Sequence, residues 1–160
     1  MKQKDRFTFY LFIFLLILFA DRFSKVWALQ NLENQDLTIF PGFNLALIWN
    51  RGVSWGLLSF DSSILFYLLT FLIVLVVILF CLHTFYLFKK GENIFFEVLI
   101  FGGAISNLID RFYYKGVVDF IDFYVGSWHW PTFNLADVFV VIGVFGILGR
   151  FLFDGYFRKN

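Results

Sequence analysis

The sequence has few of the residues that form disulfides, metal sites or charged surfaces. It contains one cysteine, Cys81, and two histidines among 160 residues, and only 16% of its residues are charged. A single cysteine excludes an intrachain disulfide and a cysteine-rich metal site. His83 and His129 lie far apart, with no acid or cysteine at metal-ligand spacing, so they are predicted to be solvated or packing residues. We therefore expect neither a metal nor a cofactor.

Other absences narrow the class of protein further. The net charge is +1 and no long basic run exists, so a nucleic-acid partner is not expected. Ser54 and Ser106 have no histidine or lysine at a spacing that suggests a serine nucleophile. No internal repeat or low-complexity linker interrupts the chain, so residues 1–160 are predicted to form one domain.

Apolar residues dominate what remains. The sequence is 60% hydrophobic, which is typical of an integral membrane protein. About 20 helical residues cross a hydrocarbon layer of roughly 30 Å. Four apolar segments approach this length, at about residues 7–29, 64–88, 94–110 and 134–153, and they are separated by outer loops at 30–63 and 111–133. The residues before Asp21 lack the small residue of a signal-peptide cleavage site, so the first segment is expected to be retained.

The basic residues near the segment ends predict the orientation. The positive-inside rule places the side with more lysine and arginine in the cytoplasm. One side carries Lys2, Lys4, Arg6, Lys89, Lys90, Arg150, Arg158 and Lys159, and the other carries Arg22, Lys25, Arg51, Arg111 and Lys115. Both termini are therefore expected in the cytoplasm. All five tryptophans fall at the opposite side, where such rings prefer the headgroup layer.

The outer segments have the pattern of strands. Residues 37–40 and 43–49 alternate around a Pro41-Gly42 turn, and residues 117–125 are rich in β-branched and aromatic side chains. They predict a small half-buried sheet. In such a strand Asp119 shares a face with Val117 and Ile121, while Asp122 points the other way.

Two acids at the margins of apolar segments, Asp119 and Asp137, are the strongest chemical signal. A carboxylate near lipid is costly and usually has a function. Two carboxyl groups in a poorly hydrated site share a proton, so one takes a proton from water while the other gives one to a carbonyl oxygen. This chemistry hydrolyses a peptide bond without a metal, serine or cysteine.

Each charged residue also has a structural explanation. Asn134 is a good N-cap, and Asp137 three residues later completes a capping box. Asp110 and Arg111 could form an ion pair at the membrane edge, and Asp21 could pair with Lys25 at i, i+4. A second function remains open: a proton-coupled transporter with a relay of Asp21, Asp110, Asp119 and Asp137.

Small residues predict where helices approach closely. Gly102, Gly103, Ala104 and Ser106 precede Asn107, which shares a helix face with Asp110 and Arg111. Gly143, Gly146 and Gly149 are predicted to form the matching stripe on the last helix.

Five segments together resemble a known family. In order they are Asp21-Arg22-Phe23-Ser24-Lys25, Asn50-Arg51-Gly52-Val53-Ser54-Trp55-Gly56, Gly102-Gly103-Ala104-Ile105-Ser106-Asn107-Leu108-Ile109-Asp110-Arg111, Gly116-Val117-Val118-Asp119-Phe120 and Phe133-Asn134-Leu135-Ala136-Asp137. They look like the five sequence boxes of lipoprotein signal peptidase, also called signal peptidase II, in the family's order and spacing.

The resemblance implies an aspartyl peptidase of the bacterial inner membrane, with its active site near the outer face. It would cleave a prolipoprotein on the amino side of a cysteine that carries diacylglycerol, act as a monomer, and contact membrane lipid. A catalytically inactive homologue that only binds lipoprotein precursors remains an alternative. The implied fold has four transmembrane helices, a small extracytoplasmic β-sheet (β-cradle) and an interfacial helix.

The resemblance also implies roles for individual residues. Asp119 and Asp137 would be the catalytic dyad. Further residues would line the site, position the substrate or support the site: Asn50, Gly52, Asn107, Arg111, Asn134, Asp21 and Asp110. Ser106 stands where the family commonly has glycine, and Ser54-Trp55 where Ala-Phe is frequent. The Ser106 hydroxymethyl is expected to loosen the helix contact near Asn107, and the larger Trp55 ring to change the fit of the substrate.

Overall fold

The computed structural model describes residues 3–52 and 63–157, which form four helices and a four-stranded sheet. The elements in chain order are α1 (Gln3–Asn31), β1 (Leu37–Phe40), β2 (Phe43–Asn50), α2 (Ser63–Lys89), α3 (Phe95–Tyr114), β3 (Val117–Val125), β4 (Trp128–His129) and α4 (Leu135–Phe157). Ser54 and Trp55 lie outside the described residues, and so does the expected effect of Trp55 on substrate fit.

Helix α3 lies at the centre of the bundle and packs against the other three helices. Small residues make this possible. A Cβ on Gly103 would lie 2.4 Å from the Ala136 carbonyl oxygen of α4, and one on Gly143 would lie 2.5 Å from Ile100 of α3. Gly149 has no described atom within 4 Å of such a Cβ, so the predicted glycine stripe on α4 ends before it.

Within residues 3–52 and 63–157, three helices are long and apolar enough to cross a membrane: α1, α2 and the part of α4 from Leu135 to Phe153. Helix α3 is not among them. Its sequence carries Glu97, Asp110 and Arg111, and all three side chains are buried inside the protein. The charges that set α3 apart from the other helices are therefore surrounded by protein. No separate short helix occurs in residues 3–52 or 63–157, so the expected interfacial helix is not part of the described structure.

The outer segments form one antiparallel sheet in the order β1-β2-β3-β4. The predicted strands at 37–40, 43–49 and 117–125 are confirmed, and Gly42 turns between the first two with φ 98°. The two-residue strand β4 was not predicted from the sequence. It follows a tight turn at Gly126, where φ is 62°.

Two connections place the sheet beside the helices. Lys115, with φ 57°, ends α3 in a left-handed conformation, and β3 starts two residues later. At the other end, Phe133 bridges to Ile121 of β3, and the Phe120 and Ile121 N–H groups both donate to the Phe133 carbonyl. The segment that leads into α4 is thus tied to β3, which brings the first turn of α4 next to Asp119.

Candidate active site

Asp119 of β3 and Asp137 of α4 line one cavity of about 230 Å³ beneath the sheet. Asp119 is only 1% exposed. The cavity lining is completed by Asn50, Gly52, Ile73, Ala104, Asn107, Leu108, Arg111, Val117 and Val140. Four of the seven supporting residues expected from the sequence therefore share the cavity with both acids. Asn134 contacts both acids from beside it, while Asp21 and Asp110 lie elsewhere.

Both oxygens of Asp119 accept hydrogen bonds from side-chain amides. Asn50 Nδ2 donates to Oδ2 at 2.9 Å, and Asn134 Nδ2 donates to Oδ1 at 2.6 Å. The pKa of Asp119 is nevertheless raised to about 7, first because burial disfavours the charged form and second because Asp137 is negative. The two amide donors and the positive charge of Lys25 oppose this rise. Asp119 is therefore partly protonated near neutral pH.

Asp137 is held by the start of its own helix. The Asn134 backbone N–H donates to Asp137 Oδ2 at 3.2 Å, and the Asp137 N–H donates to Asn134 Oδ1 at 3.0 Å. This reciprocal pair confirms the predicted capping box, with aspartate in the place usual for glutamate. The other oxygen, Oδ1, accepts from Asn107 Nδ2 at 2.8 Å. Capping therefore fixes the carboxylate and leaves it facing the cavity.

Asn134 links the two acids directly. It is fully buried, and its Nδ2 donates to Asp119 Oδ1 and to Asn107 Oδ1, the latter at 3.1 Å. The asparagine therefore joins Asp119, Asp137 and Asn107 into one network. On the opposite wall, the Gly52 N–H donates to Asn50 Oδ1 at 3.0 Å, which orients the Asn50 amide toward Asp119.

Arg111 belongs to the cavity and not to a pair with Asp110, so the predicted Asp110–Arg111 ion pair is wrong. Neighbouring residues on a helix point about 100° apart, and the two side chains reach different partners. Arg111 is 6% exposed, and its Nη2 donates to the Gly52 carbonyl at 2.5 Å. Its Nη1 is buried with no hydrogen-bond partner among the described residues. The guanidinium also lies 5.6 Å from the Phe66 ring.

Asp21 and Asp110 form a separate buried network with two bases of α1. Lys25 Nζ lies 2.8 Å from both Asp21 Oδ2 and Asp110 Oδ2, which confirms the predicted Asp21–Lys25 pair. Arg22 pairs with Asp110 at 2.6 Å and with Asp21 at 3.2 Å. Two acids and two bases therefore balance, as buried charges require. A proton relay through all four acids is not supported, because two of them are neutralised by ion pairs.

The same acids also tie the network to the backbone of the site. Asp21 Oδ1 accepts from the Ala136 N–H of α4 at 2.8 Å, and Asp110 Oδ2 accepts from the Val118 N–H of β3 at 3.2 Å. Ala136 and Val118 directly precede the two cavity acids in sequence. The network therefore hydrogen-bonds the backbone directly before each cavity acid, and the supporting role that the resemblance implies for Asp21 and Asp110 stays a prediction.

Ser106 strengthens the contact that it was expected to loosen. Its hydroxyl donates to Asp21 Oδ2 at 2.6 Å and accepts from Arg22 Nε at 3.1 Å, and the side chain is fully buried. The sequence reasoning treated Ser106 as added bulk and overlooked that a buried charge cluster offers it partners. The ion pairs of Arg22 and Lys25 with Asp110 were also not predicted. The available signal was that these two bases lie with Asp21 inside the apolar segment at residues 7–29.

Asp122 points away from the cavity, as its position in the strand predicted. It is buried, and both of its carboxylate oxygens lie 2.9 Å from His129 Nδ1. The histidine is 52% exposed and stacks on Tyr124 at the sheet surface. His129 thus has an acidic partner in the sheet, in addition to the packing role expected from its sequence.

Comparisons with known proteins show which family the chain belongs to. The family described as signal peptidase (SPase) II matches residues 13–153. The lipoprotein signal peptidase of Pelagibacter ubique (strain HTCC1062) is 40% identical over 155 residues, which cover 94% of this chain and 91% of that protein. The lipoprotein signal peptidase of Blochmanniella pennsylvanica (strain BPEN) is 35% identical over 154 residues, or 94% and 92% of the two chains.

Solved structures of bacterial membrane enzymes share the fold. One superposes with a TM-score of 0.76 at 25% identity and covers 92% of this chain and 90% of its own. A second has a TM-score of 0.73 at 26% identity, with 91% and 93% coverage. The family match, the close relatives and the shared fold lead to one conclusion: the chain belongs to the signal peptidase II family of membrane aspartic peptidases.

Proposed function

We propose that this protein removes the signal peptide of diacylglyceryl-modified prolipoproteins by cleaving on the amino side of the lipidated cysteine. Processing of prolipoproteins follows from family membership. The observation that carries the finer proposal is the shared cavity of Asp119 and Asp137, in which Asn134 contacts both acids. Such a pair of buried carboxyl groups shares a proton and cleaves amides by activating water.

The environments of the two acids favour different roles, with Asp119 as the proton donor and Asp137 as the proton acceptor. Asp119 has a pKa of about 7 and so carries a proton in part of the molecules at neutral pH. In the proposed reaction, Asp137 takes a proton from a water molecule whose oxygen adds to the scissile carbonyl carbon. Asp119 gives its proton to the carbonyl oxygen. As the carbon–nitrogen bond breaks, Asp137 passes its proton to the leaving cysteine nitrogen, and Asp119 regains its own.

The polar groups around the acids suggest how the peptide is positioned. Arg111 Nη1 is buried at the cavity without a partner in the described part of the chain, so it offers a donor to a substrate carbonyl. Asn50 and Asn107 are already committed to the two acids. We infer that Arg111, which the Gly52 carbonyl holds in place, binds the substrate, while the three asparagines hold the dyad.

The charge distribution supports a placement in the membrane. We propose that α3 is a fourth spanning helix, that both termini face the cytoplasm, and that the dyad lies near the outer face of the inner membrane. The lysines and arginines near the segment ends support this orientation, with eight on the terminal side and five on the other. We further propose that the protein acts as a monomer.

A matched pair of substrates tests the proposal. The purified protein in lipid bilayers is given one precursor with and without diacylglycerol on its cysteine. The lipid chains anchor the scissile bond at the membrane surface, since each buried methylene contributes about 0.8 kcal/mol. We expect cleavage of the lipidated precursor and cleavage slower by about a hundredfold or more without the lipid. Equal rates would indicate a broader membrane protease, and binding without cleavage would indicate an inactive homologue.

A further inference from the structure

Lys25 occupies a position in the buried network that no other base shares. Its side chain is 1% exposed, and its Nζ contacts Asp21, Asp110 and Asn107, the last at 2.8 Å. Three oxygen acceptors match the three protons of an ammonium group. Two of these contacts neutralise charge. The third contact is with Asn107, which lies outside the ion pairs and donates to Asp137.

The contact with Lys25 determines which way the Asn107 amide faces. An ammonium group only donates hydrogen bonds, and an ionised carboxylate only accepts them. An amide between the two satisfies both when its oxygen faces Lys25 and its nitrogen faces Asp137, as observed. In the reverse orientation, the Asn107 nitrogen would face the Lys25 ammonium, so that two donors meet. The Asn107 oxygen would then face the Asp137 carboxylate, so that two acceptors meet. Asn134 Nδ2 also donates to the same Asn107 oxygen.

We propose that Lys25 is a positioning residue for the peptidase reaction: by holding the Asn107 oxygen it keeps the Asn107 amide donating to Asp137, and its charge acts on the dyad through this contact. The inference rests on the proposed function of Asp119 and Asp137. This role distinguishes Lys25 from Asp21 and Asp110. Those two carboxylates accept from the backbone N–H groups of Ala136 and Val118, the residues directly before the two acids.

Arg22 provides a matched control within the same cluster. Like Lys25, it is a base of α1 and pairs with both Asp21 and Asp110. Its other described hydrogen bonds go to Ser106, and none reaches Asn107, Asn134 or Asn50. Removing either base therefore leaves the same two carboxylates with one positive partner, but only the loss of Lys25 releases the Asn107 amide.

The charged groups around the dyad predict an effect on its titration. Those near it are Lys25 and Asp21 from α1, Arg111 from α3, and Asp119 and Asp137 themselves from β3 and α4. The charge of Lys25 lowers the pKa of Asp119, whereas the described contacts of Arg22 are with Asp21, Asp110 and Ser106. Loss of Lys25 should therefore move the deprotonation of Asp119 to higher pH, and loss of Arg22 should not.

The test compares Lys25→Met with Arg22→Met in the full-length protein in bilayers, on the lipidated precursor. For each variant kcat and KM are measured between about pH 5 and about pH 9, together with thermal stability. We expect Lys25→Met to lower kcat by about tenfold to a hundredfold with little change in KM, and to shift the alkaline limb of kcat to higher pH. Arg22→Met should lose stability while its kcat and pH profile stay near wild type. Lys25→Arg, which keeps a charged donor, should recover part of the activity.

A second variant covers the case in which Lys25→Met does not fold. Lys25→Met combined with Asp110→Asn restores the balance of one acid and one base, and is compared with Asp110→Asn alone. Lys25 is only structural, and the inference is wrong, if kcat and its pH profile are the same in Lys25→Met and Arg22→Met. The same conclusion holds if they are the same in the double variant and in Asp110→Asn alone. A wild-type protein that does not cleave the lipidated precursor would instead contradict the proposed function itself.

Discussion

Asn134 and Asp137 each donate a backbone N–H to the side chain of the other, at 3.2 Å and 3.0 Å. The capping box that starts α4 is therefore also one wall of the candidate active site. The same Asn134 side chain donates to Asp119 from its Nδ2. One residue thus connects the stability of a helix end to the geometry of both acids.

Substitutions at Asn134 should separate these two roles. Serine keeps an oxygen that can cap the helix but has no amide nitrogen for Asp119 or Asn107. We expect Asn134→Ser to remain within about 1 kcal/mol of wild-type stability while its kcat falls by about tenfold or more. Asn134→Ala loses the cap as well and should be about 1 kcal/mol less stable than Asn134→Ser.

Thermal unfolding and turnover of the two variants are the measurements. The role of the amide would be rejected if Asn134→Ser cleaved the precursor at the wild-type rate. The role of the cap would be rejected if the serine and alanine variants unfolded at the same temperature.

The titration of Asp119 predicts how stability depends on pH. Its pKa in the folded protein is about 7, above the ordinary value of 3.8, so it binds a proton more strongly when folded. The stability that this proton contributes is fully present below about pH 4 and is lost as the pH rises through 7. We expect the wild-type melting temperature to fall between about pH 4 and about pH 7 and to level off above about pH 8. Asp119→Asn does not titrate and should flatten that part of the curve.

The same titration should appear in turnover. If the proton on Asp119 is needed for the reaction, kcat should decline above an apparent pKa of about 7. If the melting temperature of Asp119→Asn fell with pH as steeply as that of the wild type, the pH dependence of stability would belong to another group.

The contact between α3 and α4 predicts opposite effects for two glycines. A Cβ on Gly103 would lie 2.4 Å from the Ala136 carbonyl oxygen and 2.8 Å from Val140, so α4 must move beside Asp137. We expect Gly103→Ala to destabilise the protein by about 1–3 kcal/mol and to reduce turnover. Gly149→Ala is the control, because no described atom lies within 4 Å, and it should be neutral or up to about 1 kcal/mol stabilising. Equal melting temperatures for the two variants would argue against this close helix contact.

Local sequence rules predicted the parts of the site that depend on neighbours in the chain. The strand that carries Asp119, the cap formed by Asn134 and Asp137, and the outward direction of Asp122 all follow from periods of two or three residues. The family boxes added Asn50 and Asn107, which lie far away in sequence. These residues and both acids meet at one cavity.

The Asp21–Lys25 pair follows from its i, i+4 spacing on α1, but the ion pairs between helices could not be predicted in the same way. Asp110 and Arg111 are adjacent in sequence, but α1 approaches α3 on the side of Asp110 and brings Arg22 and Lys25 to it. Arg111 is left for the cavity. The rotation of α1 against α3 determines which bases pair with Asp110. It also places the Ser106 hydroxyl beside Asp21, so that this side chain forms a hydrogen bond instead of only adding volume. Such choices depend on tertiary packing, which residue spacing alone does not specify.

Single-turnover cleavage of the diacylglyceryl-modified precursor by Asp119→Asn and Asp137→Asn tests the central claim most directly. Both substitutions preserve side-chain size, and asparagine at position 137 keeps an oxygen for the capping box. The account predicts that both variants remain folded in the bilayer and that neither releases the shortened product, because a shared-proton dyad needs both carboxyl groups. Turnover near the wild-type rate in folded Asp119→Asn or Asp137→Asn would contradict it.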